Sequence, residues 1–469
     1  MSTRTRSASV RESVHEALRG VVASDRVLVS DAEREAYSHD DAEWAAFAPP
    51  VAVVLAESVE EVSAVVRIAA AHGVSIVPRG AGTGLSGGAN ATADSIVLSL
   101  ERMTRVLEID RAERFAVAEA GVLNDALRAA VAEHGLWYPP DPASSAISTI
   151  GGNAATNAGG ICCVKYGVTR DYVLGLTVVL ADGEVVRLGR RTAKGVVGYD
   201  LTHLLVGSEG TLGVIVDVTV RLLPLAGREE RAIVGSFGSV REAGVAVAAI
   251  SAAGIIPSAL EIVDGTCLRA VDEWQHLGLP HGVDTLLLAK VDEPGDAGET
   301  SARAIAERMR DAGALGVERA TDPEEVARLF LARRLAYPAL ERLGPVLTED
   351  ICVPRGAVPE MLERIEAAAA THGVTIANIA HAGDGNLHPL IIAPEGDEAA
   401  KARAKTAFDS IVADCLALGG TVTGEHGVGL LKLPGAAEEL SPRVRALHTS
   451  IKHALDPAGL LNPGKAFTG

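Results

Sequence analysis

Aromatic residues are scarce, only 3% of the 469-residue chain. That removes the usual equipment for stacking against nucleic-acid bases. Cations are also in short supply: 43 Lys and Arg stand against 61 Asp and Glu, a formal charge of −18. So acidic a surface disfavours broad contact with phosphate backbones or anionic lipid, and leaves room only for a local basic pocket around a small anion. Cysteine is limited to Cys162, Cys163, Cys267, Cys352 and Cys415, with no CxxC spacing. This odd, scattered set argues against a disulfide framework and against an iron–sulfur cluster held by this chain alone. Reduced, buried thiols in a cytoplasmic protein are expected instead. Long apolar runs are missing too. The longest uncharged stretches, 142–164 and 243–260, are broken by Gly, Ser, Thr, Asn or Pro. Neither reads as a membrane span. No secretory signal is expected, because the apolar spacing of Val10, Val14, Leu18 and Val22 already reads as an amphipathic helix over 7–22.

What remains is the composition of a soluble globular protein, 48% hydrophobic and 22% charged. The length suggests two or three domains. Glycine stands above its usual share, with 49 copies, which points to tight turns or close backbone–ligand contacts. Residues 51–58 read as a buried strand, 59–73 as a helix stopped by Gly73, and 74–80 as a second strand. A further strand (115–121) and helix (123–135) precede a long loop, 137–160. Residues 173–189 read as a hairpin turning at Ala181-Asp182-Gly183. Near residue 225 the glycine punctuation stops. Helical patterns at 239–254, 292–314 and 360–372 with short strands between them suggest a separate α+β domain. From about 419 the glycine-rich motifs return. We therefore expect three parts: 1–225, a middle domain 226–418, and a segment 419–469 that packs back on the first.

Three glycine-rich motifs fall within the first part. PRGAGTGLSGG runs from Pro78 through Arg79, Gly80, Ala81, Gly82, Thr83, Gly84, Ser86 and Gly87 to Gly88. Such a backbone can aim several N–H groups at one anion, and a pyrophosphate is its natural ligand. The motif lacks the Gly-Lys-Ser/Thr of a Walker loop, and its strand–helix–strand unit precedes it, unlike a Rossmann turn. The second motif, PPDPASSAISTIGGNAATNAGG, contains Pro140, Asp141, Ser145, Gly151, Gly152, Asn153, Asn157, Gly159 and Gly160. We read it as an unstructured loop, and a loop of this length in a compact domain is usually functional. Its small polar residues suit a large, flat, polar ligand. The third, GSEGTLGVI, supplies Gly207, Glu209, Gly210 and Ile215. Together the three fit an extended ligand with a diphosphate centre.

In this order the motifs resemble the FAD-binding domain of the vanillyl-alcohol oxidase / p-cresol methylhydroxylase (PCMH) superfamily. The resemblance runs from about 45 to 466 and is strongest to the group of the glycolate oxidase D-subunit and FAD-linked D-lactate dehydrogenases. It implies an α+β protein: a PCMH-type FAD-binding domain of two α+β subdomains plus an α+β cap domain that carries much of the substrate site. It implies FAD at the residues just named. Some relatives attach FAD covalently through a His in the first loop. No His lies between Pro78 and Gly88, and Thr83 stands near that place, so non-covalent FAD is expected. The terminal LDPAGLLNPGK (455–465) also matches the family, with Asn462 approaching the flavin or serving as a structural turn.

The same resemblance gives meaning to three polar motifs. HAGDGNLH carries His381 and His388, and GEHGVG carries Glu425 and His426. Histidines seven apart face opposite sides of an ideal strand, so the pair converges only if the chain turns at Gly383-Asp384-Gly385-Asn386. His381, His388 and Glu425 make a three-ligand set with open positions for a divalent metal, zinc by ligand type, with manganese and iron left open. His426 has the chemistry of a base near neutral pH, which oxidation of an alcohol requires. FLARRLAYPA (330–339) resembles the family segment that supplies an arginine for the substrate carboxylate, which makes Arg333 the first candidate and Arg334 the second. In 2-hydroxyglutarate enzymes a Lys stands near Thr348 and a small hydroxyl residue near Tyr337. Their absence points to a small monocarboxylate.

The expected activity is oxidation of a small D-2-hydroxy acid, D-lactate or glycolate, by an FAD-dependent dehydrogenase. The alternatives are a D-2-hydroxyglutarate dehydrogenase, a flavin-binding subunit of a multi-subunit glycolate oxidase, or a transferase resembling alkyl-dihydroxyacetone-phosphate synthase. The expected partners are the 2-hydroxy acid and a separate electron acceptor: a quinone, a cytochrome or an iron–sulfur subunit. Nucleic acid is not expected, and a homodimer is left open. The expected location is cytoplasmic, with attachment to the inner face of a membrane left open.

Overall fold

A computed structural model describes residues 3–42, 44–192, 194–276 and 282–466. Its contacts divide the chain into two compact units. The first comprises 1–159, 168–225 and 425–469; the second comprises 160–167 and 226–424.

The first unit is built on two larger sheets, beside a small pairing of Leu136–Trp137 with Leu223–Pro224. One has the strand order Val27–Leu28, Ala52–Leu55, Ser95–Ser99, Ser75–Arg79, and its last three strands run parallel. Residues 52 to 55 are buried throughout, as expected of parallel strands covered on both faces. The helix Val59–His72 starts where the Ser58 side chain accepts the Glu61 N–H and stops at Gly73 in the left-handed conformation. Its Val62, Val65, Val66 and Ala69 join a core with Val14 and Leu18 of the helix Thr3–Arg19. The other sheet is antiparallel, ordered Val106–Asp110, Phe115–Glu119, Val214–Arg221, Val173–Val179, Val185–Gly189. The last two strands form the expected hairpin, closed by the Gly183 N–H to Leu180 O bond.

One expectation fails. The stretch 137–160 is not structureless, because Ile150–Thr156 is a helix. Two consecutive glycines argue against a helix on propensity, but tertiary contacts override that. The Thr149 side chain caps the helix by accepting the Gly152 N–H, and Ile150 and Ala154 are buried. A side chain at Gly151 would bring its Cβ within 2.5 Å of Ala120 Cβ, so the close approach of this helix to Ala120 requires glycine there. The C-terminal segment completes the first unit: Ile76 N–H donates to Leu460 O and Asn462 N–H to Ile76 O.

The second unit is an eight-stranded antiparallel sheet. Its order is Gly316–Ala320, Arg231–Phe237, Thr285–Val291, Ala259–Asp264, Thr375–His381, Asn386–Ile392, Val346–Thr348, with Ile351–Cys352 also pairing with Asn386–Ile392. The helices Gly265–Gln275 and Leu331–Glu341 share a core with Val263, Leu286, Leu288, Ile379 and Leu390 of that sheet. The expected helices appear as Val240–Ala252, Gly295–Asp311 and Val358–His372. Among the described residues no helix is long and apolar enough to cross a membrane.

Candidate active site

In the first unit the glycine loops surround a cavity of about 350 Å³, a size in the usual range for small-molecule sites. The first loop lines it with Pro78, Arg79, Gly80, Ala81, Gly82, Thr83, Gly84 and Ser86. The short helix brings Gly151, Gly152 and Asn153, and Gly159, Glu209, Gly210 and Ile215 complete that wall. Among the described residues, no backbone N–H from Ala81 to Gly88 donates to a protein acceptor. Ser148 Oγ is buried at the same cavity and, among the described residues, has no hydrogen-bond partner. Unsatisfied donors in a recess are costly unless a ligand supplies the acceptors. A row of open N–H groups over a glycine loop fits a diphosphate.

Glu425 and His426 line the same cavity, with His426 Nε2 3.8 Å from Glu425 Oε1. Their segment is fastened from below. Glu209, a buried residue, accepts the N–H groups of Val428 (2.7 Å) and Gly429 (2.8 Å), and Ser86 Oγ donates to Gly427 O. Burial pushes the Glu209 carboxyl up, against the pull of those two N–H groups. Gly429 has a φ of 51°, and a Cβ there would lie 2.1 Å from Ser86 O, so only glycine fits.

Other residues singled out in the sequence stand outside the cavity lining. Gly87 and Gly207 adopt left-handed conformations, with Gly207 N–H donating to Ala154 O. Pro140 O accepts from Asn124 Nδ2, Ser145 N–H donates to Pro142 O, and Asp141 is half-buried beside them. Asn157 ends the short helix and accepts from Arg170 N–H. Asn462 Nδ2 donates to Gly88 O and to Glu209 O, tying the terminal motif to two glycine loops. Gly160 belongs to the second unit, where its carbonyl accepts from Cys163 N–H.

In the second unit the two histidines lie on neighbouring strands joined at Ala382–Gly385. His381 pairs with Asn386, and Ile379 with His388. The turn expected from the sequence brings the rings edge to face, 5.1 Å between centroids, with both residues buried. His381 Nδ1 lies 2.8 Å from Glu261 Oε1, and Arg333 Nε donates to Glu261 Oε2 at 2.8 Å. Glu261 has no exposed surface, and burial works to raise its carboxyl. The charges of His381 and Arg333 outweigh burial, and the net shift is downward. Arg333, 8% exposed, is the arginine of the pair that joins this cluster; Arg334 is directed to Ala327 O. Asp350, also without exposure, accepts from Asn386 Nδ2 (2.8 Å) and Thr423 Oγ1 (2.6 Å), and lies 3.6 Å from His388 Nδ1.

Residues 50–189 match a family described as FAD binding domain, and residues 227–466 match one described as FAD linked oxidases, C-terminal domain. The chain belongs to the FAD-linked oxidases. The glycolate oxidase subunit GlcD of Bacillus subtilis is 39% identical over 98% of this chain and 97% of its own length. A D-lactate dehydrogenase of Archaeoglobus fulgidus is 39% identical over 88% of this chain and 90% of its own. The fold of p-cresol methylhydroxylase superposes with a TM-score of 0.80 at 18% identity, covering 98% of this chain and 97% of that one. This FAD-linked oxidase is therefore a flavoprotein oxidoreductase with the mixed helix-and-sheet fold of the PCMH type, and its open N–H row lies within the matched FAD-binding segment.

Several residues of this FAD-linked oxidase are invisible to motif reading. Asp40 and Asp41 line the cavity without belonging to any glycine pattern, and Ser148 and Thr149 line it from within the second motif without having been singled out there. Glu261 carried one faint signal: it is an acid between the apolar residues Leu260 and Ile262 of a strand-like segment. An acid in such company must be paired.

Proposed function

We propose that the chain oxidises a small D-2-hydroxy acid, D-lactate or glycolate, to the 2-oxo acid. FAD, when bound, supplies the two-electron acceptor for the hydrogen on C2. The observation that carries this reading is Arg333. Its side chain is almost buried and spends only Nε on Glu261. Among the described residues the nitrogens of its fork donate to no protein acceptor. A buried, open guanidinium fork is the complement of a carboxylate. In this proposal Arg333 grips the substrate carboxylate and His426 takes the hydroxyl proton. No cation stands at Thr348, which is buried, to meet a second, distal carboxylate, and this favours a monocarboxylic substrate. Anaerobic bleaching of the flavin by a panel of 2-hydroxy acids tests the reading. Bleaching by none of them, or by D-2-hydroxyglutarate alone, would overturn it.

A divalent metal, zinc by ligand type, is proposed at His381, His388 and Glu425. Paired buried imidazoles are the donors zinc prefers. Glu425 enters from its sequence motif. His388→Ala should lower bound metal and turnover together while FAD stays. The loss should exceed the roughly 10–100-fold typical of outer-shell changes. Metal analysis of the purified variant checks it, and full activity in a rigorously metal-free preparation would refute it.

FAD is proposed to be non-covalent, since the first loop offers no imidazole. Acid precipitation should release the yellow chromophore into the supernatant. Flavin that survives washing of the pellet would show a covalent link.

A second reading, a catalytic subunit in a larger oxidase, draws support from the relative named as a glycolate oxidase subunit. In either case electrons leave to a separate acceptor, a quinone, a cytochrome or an iron–sulfur subunit.

A further inference from the structure

We propose that Glu261 is a positioning residue whose single carboxylate sets both the substrate-binding arginine and a metal-binding histidine. The inference rests on the function proposed above and extends it to a residue that no motif includes. The strand Ala259–Asp264 is buried along its whole length, and Glu261 has no exposed surface at all. An ionised carboxylate survives there only if charge-assisted bonds satisfy it. It makes two, one per oxygen, each 2.8 Å long.

The two bonds have different consequences. A guanidinium carries five N–H donors in one plane. Glu261 Oε2 takes the one on Nε, which fixes the plane at its stem and leaves the four donors of the fork. Among the described residues none of those four has a protein acceptor. On the other oxygen, Glu261 Oε1 faces His381 Nδ1. A carboxylate at that distance selects the tautomer with the proton on Nδ1, so the lone pair lies on Nε2, the atom a metal would take. The backbone makes the arrangement rigid. Glu261 and His381 are directly opposed in the antiparallel ladder, and Leu260 O accepts the Gly383 N–H at the start of the histidine turn. Arg333 arrives on the helix Leu331–Glu341, which packs on the helix following the same strand. The grip on a carboxylate and the affinity for a metal are therefore coupled through one side chain.

Glutamine at this position keeps the shape but has one acceptor oxygen and an amide that donates, so it cannot accept both bonds. The test uses full-length holoprotein and two separate readouts. Competition with a chromogenic chelator, without substrate, gives the Zn²⁺ affinity. Inhibition by propionate, a monocarboxylate with no 2-hydroxyl, gives the carboxylate grip alone. Glu261→Gln should weaken Zn²⁺ binding by about 10–100-fold and also raise the propionate inhibition constant, with flavin content unchanged. Arg333→Ala should move chiefly the propionate constant and His388→Ala chiefly the Zn²⁺ affinity. Wild-type values in both readouts for Glu261→Gln overturn the inference, and so does a change in only one. If Glu261→Gln does not accumulate as folded protein, Glu261→Asp is judged by the same pair. It keeps the charge but is one methylene short, so both constants should again shift together. A wild-type protein that binds neither Zn²⁺ nor propionate removes the proposed ligands themselves, a failure visible before any variant is compared.

Discussion

His426→Ala is expected to slow flavin reduction by about 10²–10⁴-fold, the usual worth of a positioned general base. FAD should remain bound, because the cavity's open N–H row and its short helix do not depend on that side chain. The pH profile gives the sharper test. A protonated imidazole cannot accept the hydroxyl proton, so the wild-type rate should fall on the acid side where histidine titrates. That limb should vanish in the variant, leaving a slow and flatter profile. Anaerobic stopped-flow of flavin absorbance against pH measures both effects. Reduction at the wild-type rate would falsify the assignment and pass the proton to another group.

Arg333→Ala should weaken every 2-hydroxy acid by about 2–5 kcal/mol, the cost of truncating one partner of a desolvated charge pair. In KM this is roughly 30- to 5,000-fold. The Glu261 bond adds a second effect. Removing Arg333 leaves a fully buried carboxylate with, among the described residues, only His381 to neutralise it, and breaking such a pair costs about 3–5 kcal/mol of stability. A fall in melting temperature should therefore accompany the rise in KM. Arg333→Lys separates the two: it restores the charge beside Glu261 but not the planar fork. It should recover most of the stability and little of the affinity. If Arg333→Ala binds D-lactate or glycolate as the wild type does, the substrate carboxylate is held elsewhere.

Local signals carried much of the architecture. Ser58 and Gly73 bracket their helix as caps should, and Ala181-Asp182-Gly183 turns the hairpin where periodicity places it. The turn between His381 and His388 was legible because four residues with strong turn preference separate two strand-like segments. The short helix Ile150–Thr156 was not, since its glycines are explained only by Ala120, a contact outside the local sequence. The same limit hid Glu261. Its partners lie 72 and 120 residues away, and no periodicity reports such distances. Asp40 reaches the cavity in the same long-range way, holding Ala89 N–H across 49 residues.

The path of the chain bears on how the molecule is made. The second unit takes almost all of its residues from one continuous stretch, 226–424, whereas the first is assembled from three pieces that end with 425–469. During synthesis the later-encoded unit thus has its full complement while the earlier-encoded one is still missing a part. Until those last residues exist, Glu209 has no Val428 or Gly429 to hold, and Ile76 has no Leu460 beside it. The glycine loop at 78–88 therefore waits, incompletely braced, for residues 425–469. Closing contacts across more than 370 residues, such as Asn462 to Gly88, is slow. Nascent chains that stop before residue 425 would keep exposed, unfinished strands, the kind of species that chaperones attend.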